Sequence, residues 1–137
     1  LVHQLEAILG RRDAPDVLQD RFDLVLEKAT ELGVAKVVPV VTRRCVADKL
    51  NLERARVVLV EAAEQCARTA LPEISAPVKL DALLRDLEAN RTLFFADENG
   101  GANAAQQFAA HTGPAALLTG PEGGFDQAER EAIRALP

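Results

Sequence analysis

The stretch LLTGPEGGFDQAE, residues 117–129, leaves an apolar run, crosses Gly120, Pro121, Glu122, Gly123 and Gly124, and enters an acidic segment. Glycines lack a Cβ and let backbone approach a ligand, and Pro121 stiffens the entrance. A phosphate cradle is the first chemistry such a loop suggests. Glu122 and Asp126 argue against it, since they place negative charge where phosphate oxygens need positive charge, and no Gly-Lys-Ser/Thr follows. A neutral or cationic ligand held by backbone groups suits the loop better. A tight strand-to-helix turn with no ligand fits the same residues.

A second group is polar and basic. Arg54, Glu61, Gln65 and Arg68 are 7, 4 and 3 residues apart and would share one face of a helix. Leu59, Ala62, Ala63, Cys66 and Ala70 fall on the other, core side. Together with Arg43 and Arg44 the stripe could hold a phosphate backbone. The plainer reading is a solvated face, with Glu64 and Arg68 paired at i,i+4. Lys28 and Glu31 are similar i,i+3 neighbours near a helix end.

The elements that must position these groups follow from periodicity. Phe22, Val25, Leu26, Ala29 and Leu32 predict a helix over 21–32, stopped by Gly33 in a positive-φ conformation. AKVVPVVT is a strand in which Pro39 implies an edge or a bulge. A long helix is predicted over 53–70, a short strand at 78–80, and a helix with Asp81 at or near its N-cap. RTLFFADE reads as a strand, NAAQQFAAH as a helix with Phe108 on its apolar side, and PAALLTG as a strand. The last helix starts at Asp126, where Asp126 and Glu129 fit a capping box. Strands alternating with helices predict an α/β fold, a mostly parallel sheet with helices on both faces. The first twenty residues fit this pattern poorly and read as a remnant of something else.

Composition narrows the class. The chain has 137 residues, 48% hydrophobic and 27% charged, which suits one globular domain. No apolar run is long enough to span a membrane, and LVHQLEAILGRRD lacks the form of a signal peptide, so the cytoplasm is the expected location. Cys45 and Cys66 are expected as reduced thiols. His3 and His111 lie far from both in sequence, which argues against a metal site. Net charge is −5, and residues 71–137 hold five Lys/Arg against ten Asp/Glu. Bulk charge therefore gives no support for nucleic acid, although Arg43–Arg56 is locally basic.

EKATELGVAKVVPVVTRRC, EAAEQCARTALPEI and LLTGPEGGFDQAE, in this order, resemble the ribosomal RNA small-subunit methyltransferase E family. That family methylates N3 of a uridine in 16S rRNA with S-adenosylmethionine. It belongs to the SPOUT class, whose α/β domain ties a C-terminal trefoil knot and forms a homodimer. The resemblance covers residues 21–137, which implies a methyltransferase domain there and a remnant or linker from an N-terminal PUA-like RNA-binding domain in 1–20. The family closes with a further segment that completes the knot. This chain stops at Ala135-Leu136-Pro137 ahead of it, and the expectation is that the natural protein carries more.

Carried onto this chain, the resemblance implies cofactor contacts at Phe95 and Ala96 and at Leu118, Thr119, Gly120, Pro121, Glu122, Gly123 and Gly124. It implies RNA contacts at Arg43, Arg44, Arg54, Gln65 and Arg68. Arg43 stands where the family usually has glutamate. Arg44 or Arg68 would stabilise the developing uridine anion, and no residue is an evident general base. A sulfonium cation and an adenine suit the glycine-rich loop better than a phosphate does. The alternative of another class is a non-catalytic RNA-binding or dimerisation module of the same fold. An unrelated α/β enzyme has no nucleophile–base pair here to support it.

Overall fold

The computed structural model describes residues 5–10, 15–44, 50–97, 99–120 and 124–136. Strands and helices alternate along them: β1 Leu5–Gly10, α1 Pro15–Leu32, β2 Lys36–Val41, α2 Leu52–Gln65, β3 Glu73–Ile74, β4 Val78–Lys79, α3 Leu80–Asp86, β5 Thr92–Ala96, α4 Ala104–Ala110, β6 Ala115–Thr119 and α5 Gln127–Arg134. All pairings among the described residues are parallel, in the order β3-β2-β1-β6-β5, with β4 also beside β2. Parallel neighbours need crossovers, and the helices supply them. The expected α/β class is the one found. No helix among the described residues is long and apolar enough to cross a membrane.

The first twenty residues depart from expectation. Leu5–Gly10 is the central strand, with Ala7 opposite Val37 on one side and Leu117 on the other. The boundary expected at residue 20 falls inside α1, which starts at Pro15. Proline suits a first helical turn, where its missing N–H would have had no partner. Periodicity could not assign β1, because a segment as short as LEAILG reads equally as strand or helix.

β2 is likewise an interior strand, although Pro39 argued for an edge or a bulge. Ala35 and Val37 accept hydrogen bonds from Glu73 and Ser75, so the polar groups of residue 39 face that same side. β3 pairs with Lys36 and Val37, and β4 with Val40 and Val41. The missing N–H of Pro39 falls in the gap between them.

Alternation along β2 divides the core. Val37 packs with Phe22, Leu26 and Ala29 of α1 and with Ala55 and Leu59 of α2. Val38 and Val40 face the other way, onto Leu80, Ala116, Leu118, Phe125 and Ile133. Leu26 and Leu118 are fully buried, and truncating either to alanine would cost about 2–5 kcal/mol. The α1 stripe is shorter than its spacing suggested, since Leu32 is 76% exposed.

α2 also ends early. Its C-cap is Cys66, and Ala67 adopts φ 55°. Arg68 N–H donates to Ala63 O and Ala67 N–H to Glu64 O, the paired bonds of a left-handed helix stop. Cys66 and Ala70 are therefore exposed rather than in the core, and Arg68 has left the helical face it was expected to share. α5 begins as predicted, with both bonds of the Asp126–Glu129 capping box formed.

Candidate functional site

Beyond the carboxyl ends of β5 and β6 the sheet opens into a cleft of about 690 Å³. Ligands collect at such strand ends in open parallel sheets. Among the expected cofactor residues, Phe95, Ala96, Thr119, Gly120 and Gly124 line it. Leu118 does not. Side chains alternate along β6, so Leu118 turns into the core beneath while Leu117 and Thr119 reach the cleft. Pro121, Glu122 and Gly123 lie outside the described residues, as does Cys45.

The walls are aromatic. The Phe94 ring lies 4.7 Å from Phe108 of α4 and 5.3 Å from His111. Phe95 meets Phe125 edge-on at 5.3 Å. Phe108 is 43% exposed and α4 buries none of its residues, so this ring is presented to the cleft. The period of α4 put Phe108 on an apolar side but could not say that the side faces a cavity. Gly120 is required by close approach: a Cβ there would stand 2.7 Å from Phe125 Cε2.

Asp97, at the end of β5, ties this floor to α5. Its carboxylate accepts from Arg130 and Arg134, and from the Asn99 N–H at 3.1 Å. The Asn99 amide is the chief cause holding the Asp97 carboxyl below the usual aspartate range, with Arg134 and Arg130 adding to it against the opposing effect of burial. Arg130 Nε also donates to Phe125 O at 3.1 Å. Arg130, Gly100 and Gly101 line the cleft, and sequence reasoning did not single them out. ADENGG after an apolar strand was the available signal for the two glycines.

The end of β2 reaches the same region. Arg43 N–H donates to Glu129 Oε1 at 2.7 Å, and Arg43 Nη1 stands 3.3 Å from Asp126 Oδ2. The Glu129 N–H is the main cause lowering the Asp126 pKa, and Arg43 and Arg44 lower it further while burial opposes them. Thr42 is buried, and its Oγ1 has no hydrogen-bond partner among the described residues.

The other basic residues lie elsewhere. Arg54 binds Asp23 of α1 through Nε and Nη2 at 3.0 and 2.7 Å. Arg68 donates to Glu31 O at the end of α1, beside Gly33. Glu73 meets Ala35 just before β2 begins, so this region is the amino end of the sheet. Within one chain, then, Arg43 and Arg44 lie beside Asp126 at the start of α5, whereas Arg68 sits at the opposite end of the sheet and Arg54 and Gln65 belong to the helix layer. The single basic surface expected from spacing is split, because α2 runs from one end of the sheet to the other.

Comparison with known proteins fits this geometry. Residues 17–136 match a family model described as RNA methyltransferase domain. The Ribosomal RNA small subunit methyltransferase E of Rickettsia conorii is 29% identical over 120 residues, covering 85% of this chain and 48% of the relative. The protein of the same name from Aquifex aeolicus is 28% identical over 143 residues, covering 98% of this chain and 61% of the relative. The chain thus spans about half to three fifths of these relatives. In fold it is similar to the Neisseria gonorrhoeae Ribosomal RNA small subunit methyltransferase E crystallised with S-adenosyl methionine, with a TM-score of 0.84 at 23% identity. That likeness covers 96% of this chain and 54% of the other.

Proposed function

This chain belongs to the RNA methyltransferase domain family, and we propose that it uses S-adenosylmethionine to methylate N3 of a uridine in 16S ribosomal RNA. The observation that carries the reading is the cleft itself. Gly120 and Gly124 line it, and Phe94, Phe95 and Phe108 offer apolar walls to a heteroaromatic base. Bound there, the cofactor supplies an electrophilic methyl group on a sulfonium cation. Arg43 and Arg44, beside Asp126 at the start of α5, carry the charge needed for an RNA phosphate or a developing uridine anion. In this reading Arg44 takes the anion, as the family resemblance implies. In-line placement of N3 against the methyl group supplies much of the acceleration.

The same reading has the protein act in the cytoplasm on the small ribosomal subunit, as a homodimer. Support for the dimer comes from apolar side chains left exposed on the helix layer, Leu24 and Leu32 of α1 and Val57 and Val60 of α2.

The test is calorimetric titration with S-adenosylmethionine, followed by methylation of small-subunit RNA with the modified atom located by mass spectrometry. Micromolar binding and a methyl group on uridine N3 are the expected results. RNA binding without cofactor binding would replace this reading with the non-catalytic module. A methyl group on another atom would correct the substrate and leave the cofactor in place.

A further inference from the structure

Glu129 carries out two tasks with one carboxylate. Its Oε2 accepts the Asp126 N–H at 3.0 Å, which completes the helix cap. Its Oε1 reaches back to β2 and accepts the Arg43 N–H at 2.7 Å. Asp126 answers with both of its oxygens: Oδ1 accepts the Glu129 N–H at 2.7 Å, and Oδ2 pairs with the Arg43 guanidinium. The result is a closed ring of four contacts among three residues. Capping α5 requires only those between Asp126 and Glu129. The two to Arg43 do nothing for the helix and join it to the strand.

The ring adjoins the cleft. Phe125 and Gly124 precede Asp126 in the chain and line the cavity. Phe125 is held on its other sides by the edge of Phe95, by Arg130 at its carbonyl, and by Gly120 beneath its ring. Glu129 is only 4% exposed, so both of its contacts are shielded from water.

We propose that Glu129 and Arg43 are positioning residues which fasten the start of α5 to the end of β2 and thereby fix the Gly124–Phe125 wall of the cleft. The expected effect on cofactor rests on the reading of the cleft given above; the fastening itself does not. Arg43 thus acts first on the protein's own loop. The acidic Asp126 gives its guanidinium an intramolecular partner.

Glutamine separates the two tasks of Glu129. A Glu129→Gln side chain can still cap the helix with its amide oxygen. Its NH2 group would then face the Arg43 N–H, donor against donor. Calorimetric titration with S-adenosylmethionine and amide hydrogen exchange should be run on the parent, Glu129→Gln, Arg43→Ala and Arg43→Lys. Thr30→Ala serves as a control for general destabilisation, since its buried hydroxyl bonds Leu26 O in α1, away from the cleft. Glu129→Gln should weaken cofactor binding about tenfold and speed exchange at Arg43, Phe125 and Asp126 by about the same factor. Arg43→Ala should do less, about threefold, and Arg43→Lys should restore both readouts. Thr30→Ala should lower the melting temperature and leave both unchanged.

Parent-like exchange at those amides in Glu129→Gln would overturn the proposal, as would equal losses in Thr30→Ala. Parent-like behaviour of Arg43→Ala would remove Arg43 from it. If the parent itself bound no S-adenosylmethionine, the cofactor reading would fail while the exchange data still decided the fastening.

Discussion

Arg68 donates two hydrogen bonds to the carbonyl oxygen of Glu31, from Nε at 3.0 Å and from Nη2 at 2.6 Å. A guanidinium placed over the carbonyl end of α1 meets both an unpaired acceptor and the negative pole of the helix. The flat group also lies against Gly33, where a Cβ would stand 2.7 Å from Nη1. Arg68→Ala should therefore destabilise the chain by about 1 kcal/mol. Chemical denaturation measures this. Calorimetry should find cofactor affinity within about twofold of the parent, and a larger loss would mean that Arg68 reaches the cofactor after all, for instance across a dimer.

Arg68 owes its placement to Ala67, which holds φ 55° without being glycine. A side chain in that left-handed conformation costs about 1–2 kcal/mol. Ala67→Gly should stabilise the fold by about 1 kcal/mol, read as a higher denaturation midpoint with an unchanged slope. A lower midpoint would mean that the added freedom of the unfolded chain outweighs the relief of strain.

Gly120→Ala tests the floor of the cleft. The new methyl group would stand 2.7 Å from Phe125 Cε2 and 3.2 Å from Cδ2. Phe125 is buried and packed against Phe95, so its ring has little room to move away. The expected outcome is a loss of about 1–3 kcal/mol in stability and a weakened S-adenosylmethionine titration. Parent-like values for both would show that the ring yields.

The pH dependence should carry the signature of Asp97. Its carboxyl holds its proton less readily folded than unfolded, chiefly through the Asn99 N–H and then through Arg134 and Arg130. Just below the ordinary aspartate value, near pH 4, the unfolded chain binds more protons, and stability rises with pH. The contribution is fully present above that value and is lost as pH falls through the folded pKa. In an acid titration, Asp97→Asn and parent should differ at neutral pH and converge at low pH. Parallel curves throughout would remove Asp97 from the acid response.

Particular residues show how far the sequence could be read. Lys28 and Glu31 pair as their spacing implied, at 2.8 Å, and Gly33 stops α1 with φ 77°. The Asp126 cap, the apolar strands β5 and β6 and the glycines between β6 and α5 were all legible, because each depends on neighbours a few residues away. The same reading placed Arg68 on a helical face and gave it Glu64 as a partner. The helix stop at Ala67 broke that pattern, and alanine gives no local sign of a left-handed turn.

The sequence by itself determined the alternation of strands and helices, the parallel class of sheet, and the glycine-rich exit from β6. These follow from side-chain period and turn chemistry, which act over short stretches of chain. Only the tertiary structure decided that residues 5–10 form the central strand, that β3 and β4 leave a gap opposite Pro39, and that Leu118 is core while Leu117 lines the cleft. It also decided the partners of the basic side chains: Arg54 with Asp23, Arg68 with Glu31, and Arg43 with Asp126, 83 residues away. Long flexible cations take whichever carboxylate or carbonyl the packed helices bring within reach. Spacing along the chain carries no record of that choice.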